Sequence, residues 1–247
     1  MNLKSLSLTV GVIALSAHAA LAQGPQGQMP GLDTAMARLF GNNNAFTATA
    51  TARLVDEKQN ETMSMPMNYA LLDGKIRSEI DMAQVKSKDM PAETGATLKQ
   101  MGMDKMVSIV RPDKQTVVIA YPALRAYAEQ PLSKAEATAA TARDFKIDST
   151  KLGSETIEGH PCVKNKVTIS AEGTEKQEAI VWNATDLKDF PIRIQTQQPN
   201  GGALVMTYSN IKLEKPDPKL FEPPAGFEKH TNVQTLVQSA MMKMLAK

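Results

Sequence analysis

The sequence is short of cysteine, histidine and net charge, and no apolar run in it is long enough to cross a bilayer. One cysteine in 247 residues excludes an intramolecular disulfide framework and a zinc site built from several thiolates. Lys and Arg number 28 against 26 Asp and Glu, a formal net charge of +2, which excludes nucleic-acid binding by bulk charge and leaves no field to steer a charged partner from afar. Partner choice falls to shape and apolar contact. At 42% hydrophobic and 22% charged residues, the chain has the composition of a globular protein, neither disordered nor collagen-like.

The apolar run from Leu6 to Ala17 is about twelve residues long, where a membrane helix needs ~20. With Lys4 before it and Ala20-Leu21-Ala22 after it, it reads as a secretory signal peptide over residues 1–22, cleaved after Ala22. The mature chain is therefore expected to be exported, periplasmic and without a transmembrane segment. No cysteine directly follows the cleavage point, and the only one, Cys162, lies far downstream, so the protein is not itself expected to be a lipoprotein. Residues 23–31 read as a flexible N-terminal tail and 32–247 as a single domain, because no stretch rich in Pro, Gly or Ser divides them.

Within that domain the dominant pattern has period two, which predicts a strand-rich α+β fold. Phe46 to Leu54 alternates apolar and polar residues throughout. Asp73-Gly74 predicts a two-residue hairpin turn between Met63–Leu72 and Lys75–Met82. Counting outward from that turn sets Leu71 opposite Ile76, Tyr69 opposite Ser78, Met67 opposite Ile80 and Met65 opposite Met82. The other face then collects Ala70 with Arg77, Asn68 with Glu79, and Pro66 with Asp81. One face is apolar and the other polar, and a slip of one residue would destroy the match. Further hairpins are expected at Arg111–Lys114, at Asn200-Gly201-Gly202 with an ambiguous register, and at Ala171–Thr174 between Val163–Ser170 and Lys176–Trp182. Some eight to ten strands in a meander would curl into a barrel or half-barrel. Four helices interrupt them: Leu32–Phe40 ended by Gly41, Pro91 to Gly102, one after the capping box Ser133–Glu136, and a C-terminal helix over 232–246 after a second box at Thr231–Gln234.

Catalytic chemistry is hard to assemble from these residues. There is no phosphate-cradling glycine loop, nucleophile elbow or paired-histidine metal helix, and only His160 and His230 remain in the mature chain. His160-Pro161-Cys162 brings an imidazole near a thiol, but nothing nearby in the sequence would lower the thiol pKa, so packing is the better reading. The expectation is a non-enzyme with no metal or cofactor. Methionine, at 15 residues, is abundant. Thioethers favour Cu(I), but Met65 and Met67 already face Met82 and Ile80 across the hairpin, which favours a soft apolar wall over a copper site.

Several blocks carry a family resemblance: Phe46–Leu54, Asp73–Glu79, Ile109–Asp113, Tyr121–Tyr127, Gly153–Cys162, Trp182–Leu187, Phe190–Ile192 and Leu220–Phe227. In this order they resemble the DUF4412 family of exported bacterial proteins, over about Phe40 to Phe227. That family is similar in architecture to the periplasmic lipoprotein carrier LolA. The resemblance implies an incomplete antiparallel β-barrel around a hydrophobic cavity, with short helices as its lid. The carrier's arginine-bearing block has its nearest counterpart in Leu72–Ser78, which lacks a tryptophan, and the hairpin register puts Arg77 on the polar face. The expected function is binding of a hydrophobic ligand, whether an acyl chain, a lipid or a lipoprotein's acyl groups, with Phe46, Met65, Met67, Tyr69, Leu71, Ile76, Ile80 and Met82 as the wall. The alternative is an envelope protein-protein interaction or sensor module with a filled core and no ligand.

Overall fold

The computed structural model describes residues 36–91, 93–141, 145–170, 176–199 and 201–245. The expected signal peptide and N-terminal tail, Leu32, the expected turn at Ala171–Thr174 and Asn200 lie outside the described residues. The first half of the sheet comprises β1 (Ala45–Val55), β2 (Glu61–Leu72), β3 (Lys75–Asp81), β4 (Lys86–Ser87), β5 (Lys105–Arg111), β6 (Thr116–Tyr121) and β7 (Ala126–Pro131). The second comprises β8 (Lys146–Ile157), β9 (His160–Ser170), β10 (Gln177–Ala184), β11 (Phe190–Gln197), β12 (Ala203–Lys212) and β13 (Glu228–His230). Helices α1 (Thr94–Gln100), α2 (Lys134–Thr141) and α3 (Val233–Leu245) join short 3₁₀ turns at Met36–Phe40, Met82–Gln84, Pro122–Leu124 and Pro218–Phe221.

All strands belong to one 13-stranded sheet, ordered β13-β7-β6-β5-β3-β2-β1-β12-β11-β10-β9-β8 with β4 beside β2. Every pairing is antiparallel except β13 with β7. The path ends at β13 and β8, so the sheet stays open, as an incomplete barrel requires. Register shifts interrupt β1–β12, β1–β2, β10–β11 and β8–β9. Bulges of this kind add bend and twist, which is how so wide a sheet curls instead of lying flat.

The β2–β3 hairpin has the register derived from the letters, from Leu72↔Lys75 out to Met67↔Ile80. Asp73 (φ 50°) and Gly74 (φ 81°) take the two left-handed positions that such a turn demands. The ladder stops short of Met65 and Met82, however. β3 ends at Asp81, whose side chain accepts from the Ala83 N–H and caps a 3₁₀ turn beginning at Met82. A local cap satisfies an amide that strand pairing would otherwise claim, and β4 takes up the vacated edge beside Met63 and Ser64.

The thirteen strands among the described residues exceed the eight to ten expected. The long addition is β8, where Ile147 (46% exposed) and Leu152 (52%) face solvent with almost every neighbour. A strand buried on neither face has no apolar alternation to reveal it. At the helix starts, Ser133 and Glu136 form the expected reciprocal box, with the Glu136 N–H donating to Ser133 Oγ (3.2 Å) and the Ser133 N–H to Glu136 Oε2 (3.1 Å). The second box is absent. Asn232 caps α3 through its Oδ1, which accepts from the Thr235 N–H (2.9 Å), while Thr231 Oγ1 meets Thr235 Oγ1. The C-terminal helix accordingly begins at Val233, one residue after the expected start, and continues to Leu245, the last described residue.

Candidate functional site

The core face of the sheet is one apolar cluster reaching from β7 to β9. Its middle is built on β1, where Phe46, Ala48, Ala50 and Ala52 point inward. Ala50 lies between Met67 of β2 and Tyr208 of β12, and Ala52 between Met65 and Met206. Small residues on the central strand thus leave a trough that long side chains from both neighbours fill. The eight wall residues expected from the sequence, Phe46, Met65, Met67, Tyr69, Leu71, Ile76, Ile80 and Met82, all sit in this cluster, each at most 4% exposed. The side chains over them come from short segments: Met36 to Phe40, Leu98 of α1, Ala137 and Ala140 of α2, and Leu236 and Ala240 of α3. Met101 and Met103 follow α1 into the same core.

At one end of the trough Phe40, Phe46, Tyr69, Phe190 and Tyr208 form an aromatic knot, with ring centroids 4.8–6.4 Å apart in tilted, stacked and edge-to-face pairs. Burial pushes the Tyr69 and Tyr208 hydroxyls well above the ordinary phenol range. Tyr121 is pushed up to about 12 by the same cause. Sequence reasoning found Phe46 and Tyr69 but not the roles of Phe40, Phe190 and Tyr208. These come from a 3₁₀ turn and two distant strands, so no local periodicity joins them.

Polar chemistry lies elsewhere. Residues 213–227 cross the outer face of the sheet as a strap, with Phe221 (0% exposed) seated on Ala70, Leu72, Val107, Ile109, Val118 and Ala120. Three arginines hold it. Arg77 Nη1 donates to the Leu220 carbonyl (2.9 Å), Arg111 Nη1 to the Phe221 carbonyl (2.8 Å), and Arg125 Nη2 to the Gly226 carbonyl (3.3 Å). Arg111 also pairs with Asp113 (2.8 Å) and Glu222 (2.7 Å), which holds both carboxyls below their usual range. Four of the blocks that carry the family resemblance therefore meet in one joint, away from the core face. Arg77 is on the outer face, where the register placed it, and serves the strap.

His160 Nδ1 lies 2.8 Å from Asp186 Oδ2, and Cys162 Sγ donates to the His160 carbonyl (3.3 Å). Burial pushes the Cys162 thiol up, the reverse of what a nucleophile needs. Trp182 donates its Nε1–H to Glu155 (2.7 Å) and is covered by Lys164 and Arg193, a contact that fastens β8 to the sheet. Among the described residues no three or more His, Cys, Asp or Glu side chains are placed to hold a metal ion. The described residues include a recess of about 290 Å³ on the outer face beside Arg77 and Glu79 and another of about 420 Å³ beside Asn43, Lys188 and Asp189. Among the described residues no helix is long and apolar enough to cross a membrane.

Together these features define an open, strand-rich half-barrel with one apolar face under short helices. The chain belongs to the family described as Domain of unknown function (DUF4412), whose model matches residues 59–190. The blocks at Phe46–Leu54 and Leu220–Phe227 fall outside that match. No curated protein matches the chain. It is similar to the crystal structure of an uncharacterized conserved protein from Thermus thermophilus, with 11% identity over 78% of this chain and 94% of that one and a TM-score of 0.43. It is also similar to the LolA superfamily protein NE2245 from Nitrosomonas europaea, with 11% identity over 78% of this chain and 96% of that one and a TM-score of 0.38. The Mycobacterium tuberculosis lipoprotein LppX shows 13% identity over 72% of this chain and 94% of that one, at a TM-score of 0.38.

Proposed function

We propose that the chain is an exported, periplasmic, non-catalytic binding protein that shelters an apolar ligand, an acyl chain or lipid free or on a lipoprotein, against the core face of its open sheet. The observation that carries this reading is the nature of the cover. Over that face lie no second sheet and no long bundle among the described residues, only helical segments of 5 to 13 residues. Helices this short are marginal alone and hold their place through a few apolar contacts, so they part from the sheet at far lower cost than its strands part from one another. The wall beneath holds Met65, Met67, Met82 and Met206, and Met101 and Met103 reach it from the end of α1, all unbranched side chains that repack around guests of different shape. Burial of apolar surface would supply the affinity.

The test is uptake of phenylnaphthylamine, whose fluorescence rises on leaving water. A single saturable site, weakened when Met67 and Ile80 are replaced by aspartate in separate folded variants, is the expected result. No saturable rise would overturn the reading.

One observation favours a second reading, the interaction module. All eight wall residues are at most 4% exposed, as in a core filled by its own side chains. In that case an outer surface or α3 would dock an envelope protein, and removing residues 231–247 would abolish capture of that partner while leaving phenylnaphthylamine without effect on the intact chain.

A further inference from the structure

The apolar wall contains one polar atom with nothing to bond. Ser78 lies between Ile76 and Ile80 on β3, is 0% exposed, and its Oγ has no hydrogen-bond partner among the described residues. Its cross-strand neighbours on the core face are Tyr69 of β2 and Ser108 of β5, which is also buried. A strand that reads Ile-Ser-Ile into an apolar cluster gives up packing surface at its centre and leaves a donor desolvated, which costs stability unless something accepts from it. Alanine or valine at position 78 would serve a core better.

We infer that the Ser78 hydroxyl is the polar anchor of the binding face, donating a hydrogen bond to the carbonyl oxygen of a long-chain acyl compound whose hydrocarbon lies along the methionine-rich wall. This rests on the proposed ligand-binding function and narrows its ligand class from any apolar molecule to one that carries an acceptor. A free fatty acid and an ester-linked or amide-linked acyl chain share that chemistry. Ser108, opposite Ser78, supplies a second hydroxyl to the same spot.

The chain without its signal peptide is loaded with phenylnaphthylamine and titrated with hexadecanoic acid, methyl hexadecanoate and hexadecane, for wild type, Ser78→Ala and Ser78→Thr. Wild type is expected to release the fluorophore at roughly tenfold lower concentration of the carbonyl compounds than of hexadecane, the size of one hydrogen bond. Ser78→Thr keeps that preference. Ser78→Ala loses it, with hexadecane binding undiminished and a melting temperature equal to or above wild type, because an unpaired hydroxyl has been removed. A preference for the acid alone identifies a free carboxylate as the ligand group; a preference shared by the ester identifies a bound acyl chain. If wild type binds all three alike, or if Ser78→Ala keeps the full preference, the anchor is refuted while the binding face stands. If no compound displaces the fluorophore and the fluorophore itself does not bind, the proposed function falls and the anchor with it.

Discussion

Replacing Phe221 by alanine should destabilise the protein by about 3–4 kcal/mol, within the range found for removing a buried phenylalanine ring. Phe221 is fully buried although it lies in a 3₁₀ turn on the outer face of the sheet, on a floor of Ala70, Leu72, Val107, Ile109, Val118 and Ala120. The loss would be smaller if the strap could sink into the vacated space. It is held off by the Arg77–Leu220 and Arg111–Phe221 carbonyl hydrogen bonds at 2.9 and 2.8 Å, which fix the backbone on both sides of the missing ring. The cavity therefore persists, and its cost adds to the lost transfer energy. For a domain of this size, a loss of that magnitude lowers Tm by roughly 10 °C. Urea unfolding is the assay, read as a shift of midpoint at constant slope, with amide exchange at Leu220 and Glu222 as the local readout. A loss below about 1 kcal/mol, with exchange unchanged, would refute the reasoning and make the strap peripheral.

The carboxyls of Asp113 and Glu222 lie below their ordinary values of 3.8 and 4.5 because Arg111 donates to both. Their contribution is present above those values and is lost as pH falls through the depressed native ones. A D113N/E222Q variant should therefore be less stable than wild type at pH 7 and equal to it once both carboxyls are protonated, as acid titrations of unfolding would report; a gap that widens on acidification contradicts the assignment. Asn232→Ala removes the cap of α3 and should cost about 1 kcal/mol, confined to faster exchange in the first turn. Cys162 should resist iodoacetamide at neutral pH and react on unfolding, since its thiol is buried and its pKa raised; fast native labelling would contradict that environment.

Part of this architecture was legible because local rules agreed with one another. In β2 and β3 the Asp73-Gly74 turn and the period-two pattern specify the same register, and the structure has it residue for residue from Leu72↔Lys75 to Met67↔Ile80. Where a cap competed, as Asp81 does for the Ala83 amide, the strand ended early and the pattern gave no warning. β8 was invisible because burial, the source of alternation, is missing from both of its faces. The aromatic knot and the strap were illegible for another reason. Phe40, Phe190 and Tyr208 meet Phe46 and Tyr69 only through the order of strands in the sheet, and the Arg111–Phe221 hydrogen bond spans 110 residues. The blocks at Arg77, Arg111, Arg125 and Phe221 could be recognised singly, but that they form one joint follows from topology alone.

That the core face holds an apolar guest can be read from native mass spectrometry of the protein purified from the cells that express it. The account predicts added mass that organic solvent strips away and that fragments as an acyl compound. A bare polypeptide mass, unchanged after incubation with lipid extract, would contradict it.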